Sequence, residues 1–136
     1  MNPTELVRLA KTAMQRAYVP YSGYKVGAAL LTKGGKVYLG CNIENAAFGP
    51  SNCAERTAFF TAIAAGETEF ESIAVVGGKD GVITGSFPPC GVCRQVMSEF
   101  CGDDFMIYMG DAEGYHALSM AEILPAGFKA AEHMKL

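Results

Sequence analysis

Cys53, Cys90 and Cys93 are thiols able to hold one metal ion while leaving a coordination position open, and Glu55 stands two residues after the first of them. Cys90 and Cys93 form a Cys-x-x-Cys pair whose spacing lets both meet on one face of a helical first turn. Glu55 is too near Cys53 along the chain to be a fourth ligand of ordinary spacing. An open Zn²⁺ beside a carboxylate that does not ligate it is an apparatus for activating water.

Each half of this pattern has other readings. A Cys-x-x-Cys pair also serves thiol–disulfide exchange and closed structural zinc sites. A closed site needs a fourth Cys or His, and Cys41, Cys101, His116 and His133 all lie at long spacing from the three thiols. Glu55 is also placed to favour the dipole of a helix first turn. If Cys53 sits at the very start of a helix, where the backbone is not yet helical, it and Glu55 can aim at one ion. Two helix N-termini facing that ion would stabilise thiolates. Three thiolates leave a zinc centre net negative, so a charge-withdrawing neighbour is needed. Arg56, three residues from Cys53, is within reach of sulfur. Its alternative is an ordinary solvated helix charge.

The elements that must position these groups are legible in outline. Asn2 caps a first helix, with Pro3 at its first position, Glu5 closing a capping-box-like pair, and Leu6, Leu9, Ala10, Ala13, Met14 and Ala17 on one face. Strands are expected over Lys25–Thr32 and Lys36–Cys41, joined at Gly34-Gly35. Asn42–Asn52 reads as a loop, Cys53–Ala65 as a helix stopped by Gly66, Ser72–Gly77 as a strand and Lys79–Pro89 as a second loop. A helix over Gly91–Phe100 follows, then strands Phe105–Met109 and Tyr115–Ser119 and a short helix at Ala121–Leu124 before Pro125. This order implies an α/β fold, a mixed sheet with helices packed on its faces.

The chain of 136 residues is expected to form a single domain over 1–136. Its first residues show no basic region leading into an apolar stretch, and no apolar run is long enough to span a bilayer, so the cytoplasm is the expected compartment. Five cysteines, an odd number, fit reduced thiols and a metal better than a disulfide framework. Cys41 and Cys101 are expected to be small buried hydrophobes. A net charge of −3 with scattered Lys and Arg favours a small molecule over nucleic acid as partner.

The segments Val26–Leu31, Gly40–Ala46, Cys53–Ala58, Pro89–Gln95 and Glu122–Pro125, with Phe128 beyond, make the chain resemble the cytidine deaminase family over nearly its whole length. Its Cys-x-Glu and Pro-Cys-x-x-Cys elements match the signature of zinc deaminases. The resemblance implies a three-layer α/β/α fold with a five-stranded mixed sheet. It implies one zinc per subunit on Cys53, Cys90 and Cys93, with Glu55 as proton shuttle. It places Tyr24, Asn42, Glu44, Ala54 and Phe128 against a nucleoside. Asn42 and Glu44 would hold the ribose 3′-hydroxyl, and Phe128 would reach the base from a neighbouring subunit of a homotetramer. For Tyr24 and Phe128, plain core packing is the alternative. The implied reaction is hydrolysis of cytidine and 2′-deoxycytidine to uridine and 2′-deoxyuridine, releasing ammonia, in pyrimidine salvage. Tyr24 stands where Phe is usual in the family and Phe48 where Tyr is frequent. Blasticidin deaminase shares the zinc motif, but the Asn42–Glu44 pair argues against it. A non-catalytic zinc-stabilised interaction module is the reading from another class.

Overall fold

Strand β1 (Tyr24–Thr32) is buried along seven consecutive residues, because both of its faces are covered. Val26, Ala28 and Leu30 point to one side, Ala29 and Leu31 to the other, and each set joins a different core. The computed structural model describes residues 1–134, with Ala131 by its backbone alone. β1 pairs antiparallel with β2 (Val37–Cys41) and with β3 (Phe70–Lys79). β3 runs parallel to β4 (Met106–Gly110), which pairs antiparallel with β5 (Tyr115–Ser119). The sheet is therefore five-stranded and mixed, in the order β2-β1-β3-β4-β5.

Helix α1 (Pro3–Met14) covers one face through Leu6, Val7, Ala10 and Met14. Helices α2 (Ala54–Ala64) and α3 (Gly91–Phe100) cover the other, with Ala54, Ala58, Phe59 and Ala62 from α2 and Met97 from α3. This is the expected three-layer α/β/α arrangement. The parallel β3–β4 pair requires a crossover, and α3 supplies it.

Several boundaries differ from expectation for local reasons. α1 stops at Met14 rather than Ala17. The next three residues make tighter i→i−3 bonds, and Tyr18 is then drawn into a bridge with Ile43. Asn2 Oδ1 accepts from the Glu5 N–H at 2.9 Å, which caps α1. The reciprocal capping box stands instead at α4 (Met120–Ile123), between Ser119 and Glu122. β3 runs from Phe70 to Lys79, longer than the Ser72–Gly77 core, because β1 pairs with it as far as Tyr24 opposite Lys79. A short helix α5 (Ala130–His133) follows Phe128 and has no clear signal in the sequence.

The position of α2 depends on Gly40 of β2. A Cβ there would run into the Ala54 carbonyl and the backbone of Ala58. The first turn of α2 can thus lie directly on the strand. Gly40→Val is expected to lower the unfolding free energy by at least ~2 kcal/mol through overpacking. Gly49→Ala, in open space, should stay within about 0.5 kcal/mol of the parent. Urea denaturation midpoints of the two variants check the difference.

Candidate metal centre and nucleoside cavity

Cys53 and Cys90 are the N-caps of α2 and α3, with extended backbone at φ −77°, ψ 156° and φ −70°, ψ 169°. Neither side chain makes the usual cap hydrogen bond, so both thiols are free to turn toward a common point. Cys93, in the first turn of α3, is fully buried and completes the cluster. The Cys53 and Cys90 sulfurs lie 3.6 Å apart and those of Cys90 and Cys93 3.5 Å. All three sulfurs fall within 4.8 Å of one another. A tetrahedral zinc with Zn–S bonds near 2.3 Å sets its sulfurs about 3.8 Å apart, so the donor set fits that ion. Two helix N-termini point at the centre, as the reading of Cys53 as a non-helical first residue requires.

The thiols share charge and protons. Cys53 is pulled down to about 5, first by the hydrogen bond from the Cys93 thiol, against burial, and then by Arg56. Cys93 is correspondingly held up, first by donating to Cys53 and then by burial. Arg56 donates from Nη2 to Cys53 Sγ at 3.3 Å, so its side chain is turned to the cluster and not to solvent. Its Nε is buried with no hydrogen-bond partner among the described residues. Cys101, outside the cluster, is pushed up to about 12 by burial and stays an inert thiol.

Glu55 is only 4% exposed. Burial pushes its carboxyl up to about 7; the Cys53 charge adds to the rise, while its own backbone N–H opposes it. A group tuned in this way can accept and return a proton near neutrality. Glu55 and Ala54 line a cavity of about 180 Å³ together with Cys53 and Cys90. Tyr24 and Asn42 also line it, together with Val26, Phe87 and Pro88. Phe87 faces Tyr24 with ring centroids 6.4 Å apart. Its only sequence signal was its place just before Pro88-Pro89 and Cys90, whose stiff backbone carries it to the cavity mouth.

Asn42 is built into the fold. Its Oδ1 accepts from Val26 N–H at 2.9 Å and its Nδ2 donates to the Tyr24 carbonyl at 2.8 Å. Glu44 does not line the Glu55 cavity but opens onto a second one with Tyr21 and Phe48. Its Oε1 accepts from the N–H groups of Tyr21 and Ser22, both at 3.0 Å, and its Oε2 accepts from the Ser22 hydroxyl. These bonds, the Ser22 hydroxyl first, hold its carboxyl below the usual range. The clamp therefore contributes above the ordinary carboxylate pKa and is lost only as pH falls through the lower folded value.

Phe128 does not line the Glu55 cavity of its own chain. It is 55% exposed and stacks on His133 with centroids 5.4 Å apart. Gln95 Nε2 holds its carbonyl at 2.9 Å. Arg94 ties α3 to α4 by donating to the carbonyls of Pro89 and Ile123, each at 2.8 Å. In the sequence Arg94 and Gln95 stand only within the Pro89–Gln95 segment, and nothing local points to Ile123 and Phe128, whose carbonyls they hold.

A mixed sheet sandwiched by helices, with three thiols at paired helix N-termini above a buried carboxyl, defines a metal-dependent hydrolytic centre. The family model for the cytidine and deoxycytidylate deaminase zinc-binding region matches residues 1–109, and the chain belongs to that family. It is 44% identical over 129 residues to a cytidine deaminase of Sporosarcina psychrophila, covering 94% of this chain and 92% of that one. It is 45% identical over 133 residues to one of Halalkalibacterium halodurans, covering 97% and 98%. A 1.6 Å crystal structure of cytidine deaminase from Burkholderia pseudomallei superposes with TM-score 0.86 at 46% identity, covering 94% of this chain and all of that one. Among the described residues no helix is long and apolar enough to cross a membrane.

The cluster is expected to retain about one zinc per chain. Elemental analysis should show that content unchanged in Cys101→Ala and lost in Cys93→Ala. Arg56→Ala should weaken retention or activity by ~10–100-fold, read by competition with a chelator and by turnover. Unchanged values in Arg56→Ala would return that side chain to an ordinary helix charge.

Proposed function

We infer that this chain hydrolyses cytidine and 2′-deoxycytidine to uridine and 2′-deoxyuridine with release of ammonia, as a step of pyrimidine salvage in the cytoplasm. The observation that carries the reading is the buried Glu55 carboxyl in the same small cavity as the Cys53–Cys90–Cys93 cluster. Zinc, when bound by the three thiols, supplies Lewis acidity that makes water a nucleophile near neutral pH. Glu55 takes a proton from the attacking water and delivers it to N3 of the ring. The second proton goes to the departing amine, so that water and cytidine become uridine and ammonia. Arg56 draws charge from Cys53 and keeps the cluster electrophilic. A thiol–disulfide role needs only the Cys90–Cys93 pair, whereas a third thiol converges on them here.

Asn42 and Glu44 serve as the ribose clamp. Asn42 keeps one N–H and one oxygen lone pair beyond its two backbone bonds, and Glu44 keeps acceptor capacity on Oε2. Both are already rigid, so holding a 3′-hydroxyl costs little further ordering. Ala54 and Tyr24 wall the base and sugar. Phe128, exposed on its own chain, covers the base bound in a neighbouring subunit of a homotetramer, which accounts for a large aromatic left half out of any core.

In Glu55→Gln, zinc should be retained while kcat for cytidine falls by ~10²–10⁴, followed by ultraviolet absorbance. Free cytosine should be a very poor substrate for the parent, because the polar groups of the clamp are left unpaired. Loss of zinc in Glu55→Gln would make that residue structural, and equal kcat/KM for cytosine and cytidine would remove the ribose clamp.

The shared site is tested by mixing. Glu55→Ala and Phe128→Ala chains, each impaired alone, should regain activity above the sum of the parents when refolded together. Differently tagged chains confirm the mixing. No gain would place Phe128 in the service of its own subunit.

A further inference from the structure

Lys79 ends β3 directly opposite Tyr24, the first residue of β1. A lysine at an exposed strand end ordinarily extends into water, where its side chain keeps its rotamer freedom. This one folds back across the ladder. Its Nζ stands 5.2 Å from the centroid of the Tyr24 ring and donates to the Ser22 carbonyl at 2.7 Å. The next residue, Asp80, donates its N–H to the Gly23 carbonyl at 2.7 Å. Successive residues at the end of β3 thus grip successive carbonyls of the segment that leads into β1.

The local backbone is shaped for this grip. Asp80 and Gly81 both have positive φ, 53° and 81°, as an Asp-Gly turn requires. Gly23 has φ +73°, and a Cβ there would stand 2.9 Å from the Lys79 ammonium, so a side chain at this point would displace it. The Glu44 carboxylate accepts the N–H groups of Tyr21 and Ser22 in the same segment. Residues 21–24 are therefore stapled between a carboxylate that takes their N–H groups and an ammonium that takes a carbonyl. Tyr24, at the end of the staple, presents its ring to Phe87 and to the cavity that holds Glu55.

We propose that Lys79 is a positioning residue of the nucleoside site, holding the Tyr21–Tyr24 segment and the Tyr24 ring in binding geometry. The inference rests on reading the Glu55 cavity as that site. Lys79 touches neither the cluster nor Glu55, so it acts on binding and not on the chemical step. An interaction that holds ground and transition states equally moves KM and leaves kcat alone.

The test uses the zinc-loaded full chain with Lys79→Met, which keeps the stem and removes the charge, and Lys79→Arg, which keeps a donor able to stack on the ring. Hydrogen exchange of residues 20–25 without ligand and steady-state kinetics on cytidine are measured together. Lys79→Met should exchange faster at 21–24 and raise KM by about three- to tenfold, with kcat within about twofold. Lys79→Arg should restore both. Unchanged exchange in Lys79→Met overturns the proposal. So does faster exchange with unchanged KM, a fall in kcat together with a lower unfolding temperature, or failure of Lys79→Arg to restore exchange. A parent chain inactive on cytidine would defeat the functional reading instead, and the exchange comparison would still decide whether the staple exists.

Discussion

Everything at this centre depends on bringing three sulfurs within 4.8 Å of one another from two distant segments. Thiolates at such distances repel strongly in a partly desolvated site. The fold offsets that repulsion with two helix N-termini, the Arg56 guanidinium and proton sharing between Cys93 and Cys53. A divalent cation completes the compensation. The requirement fixes the helices in turn: α2 must start on β2, which Gly40 permits, and α3 must start where the chain leaves the Pro88-Pro89 segment. Arg94 then locks that start to α4 through two carbonyls.

The same economy governs the polar residues around the cavity. Asn42 joins the end of β2 to the start of β1, and Glu44 gathers the Tyr21–Ser22 amides. Each uses part of its hydrogen-bonding capacity on the fold and leaves part facing a cavity. Such groups are held before a ligand arrives, so recognition does not require ordering a loop. Loss of either is therefore a lesion of the fold itself, and on the proposed reading measurements that separate KM from kcat reveal any added binding defect.

Local environment gives the carboxyls of Glu55 and Glu44 opposite characters. Glu55, closed off by α2 and the cluster, is pushed up toward neutrality, where a proton can be taken and returned. Glu44, bonded to a hydroxyl and two amides, is held down and stays a fixed anion. A carboxyl poised near neutrality and a fixed anion are made from the same side chain by environment alone.

The thiol and carboxylate chemistry was legible in the chain because it is written in short spacings: two residues from Cys53 to Glu55, three to Arg56, and three from Cys90 to Cys93. The helices and most strands were legible because local periodicity records which face is buried. Family resemblance singled out Asn42 and Glu44, which spacing alone leaves as ordinary loop polars. What only the tertiary structure decided was which remote groups meet. Phe87 faces Tyr24, Lys79 lies across the ladder from Tyr24, and Gln95 holds Phe128. The physical reason is that sheet order and register pair residues more than fifty positions apart, as with Tyr24 and Lys79, and local pattern carries no record of such partners.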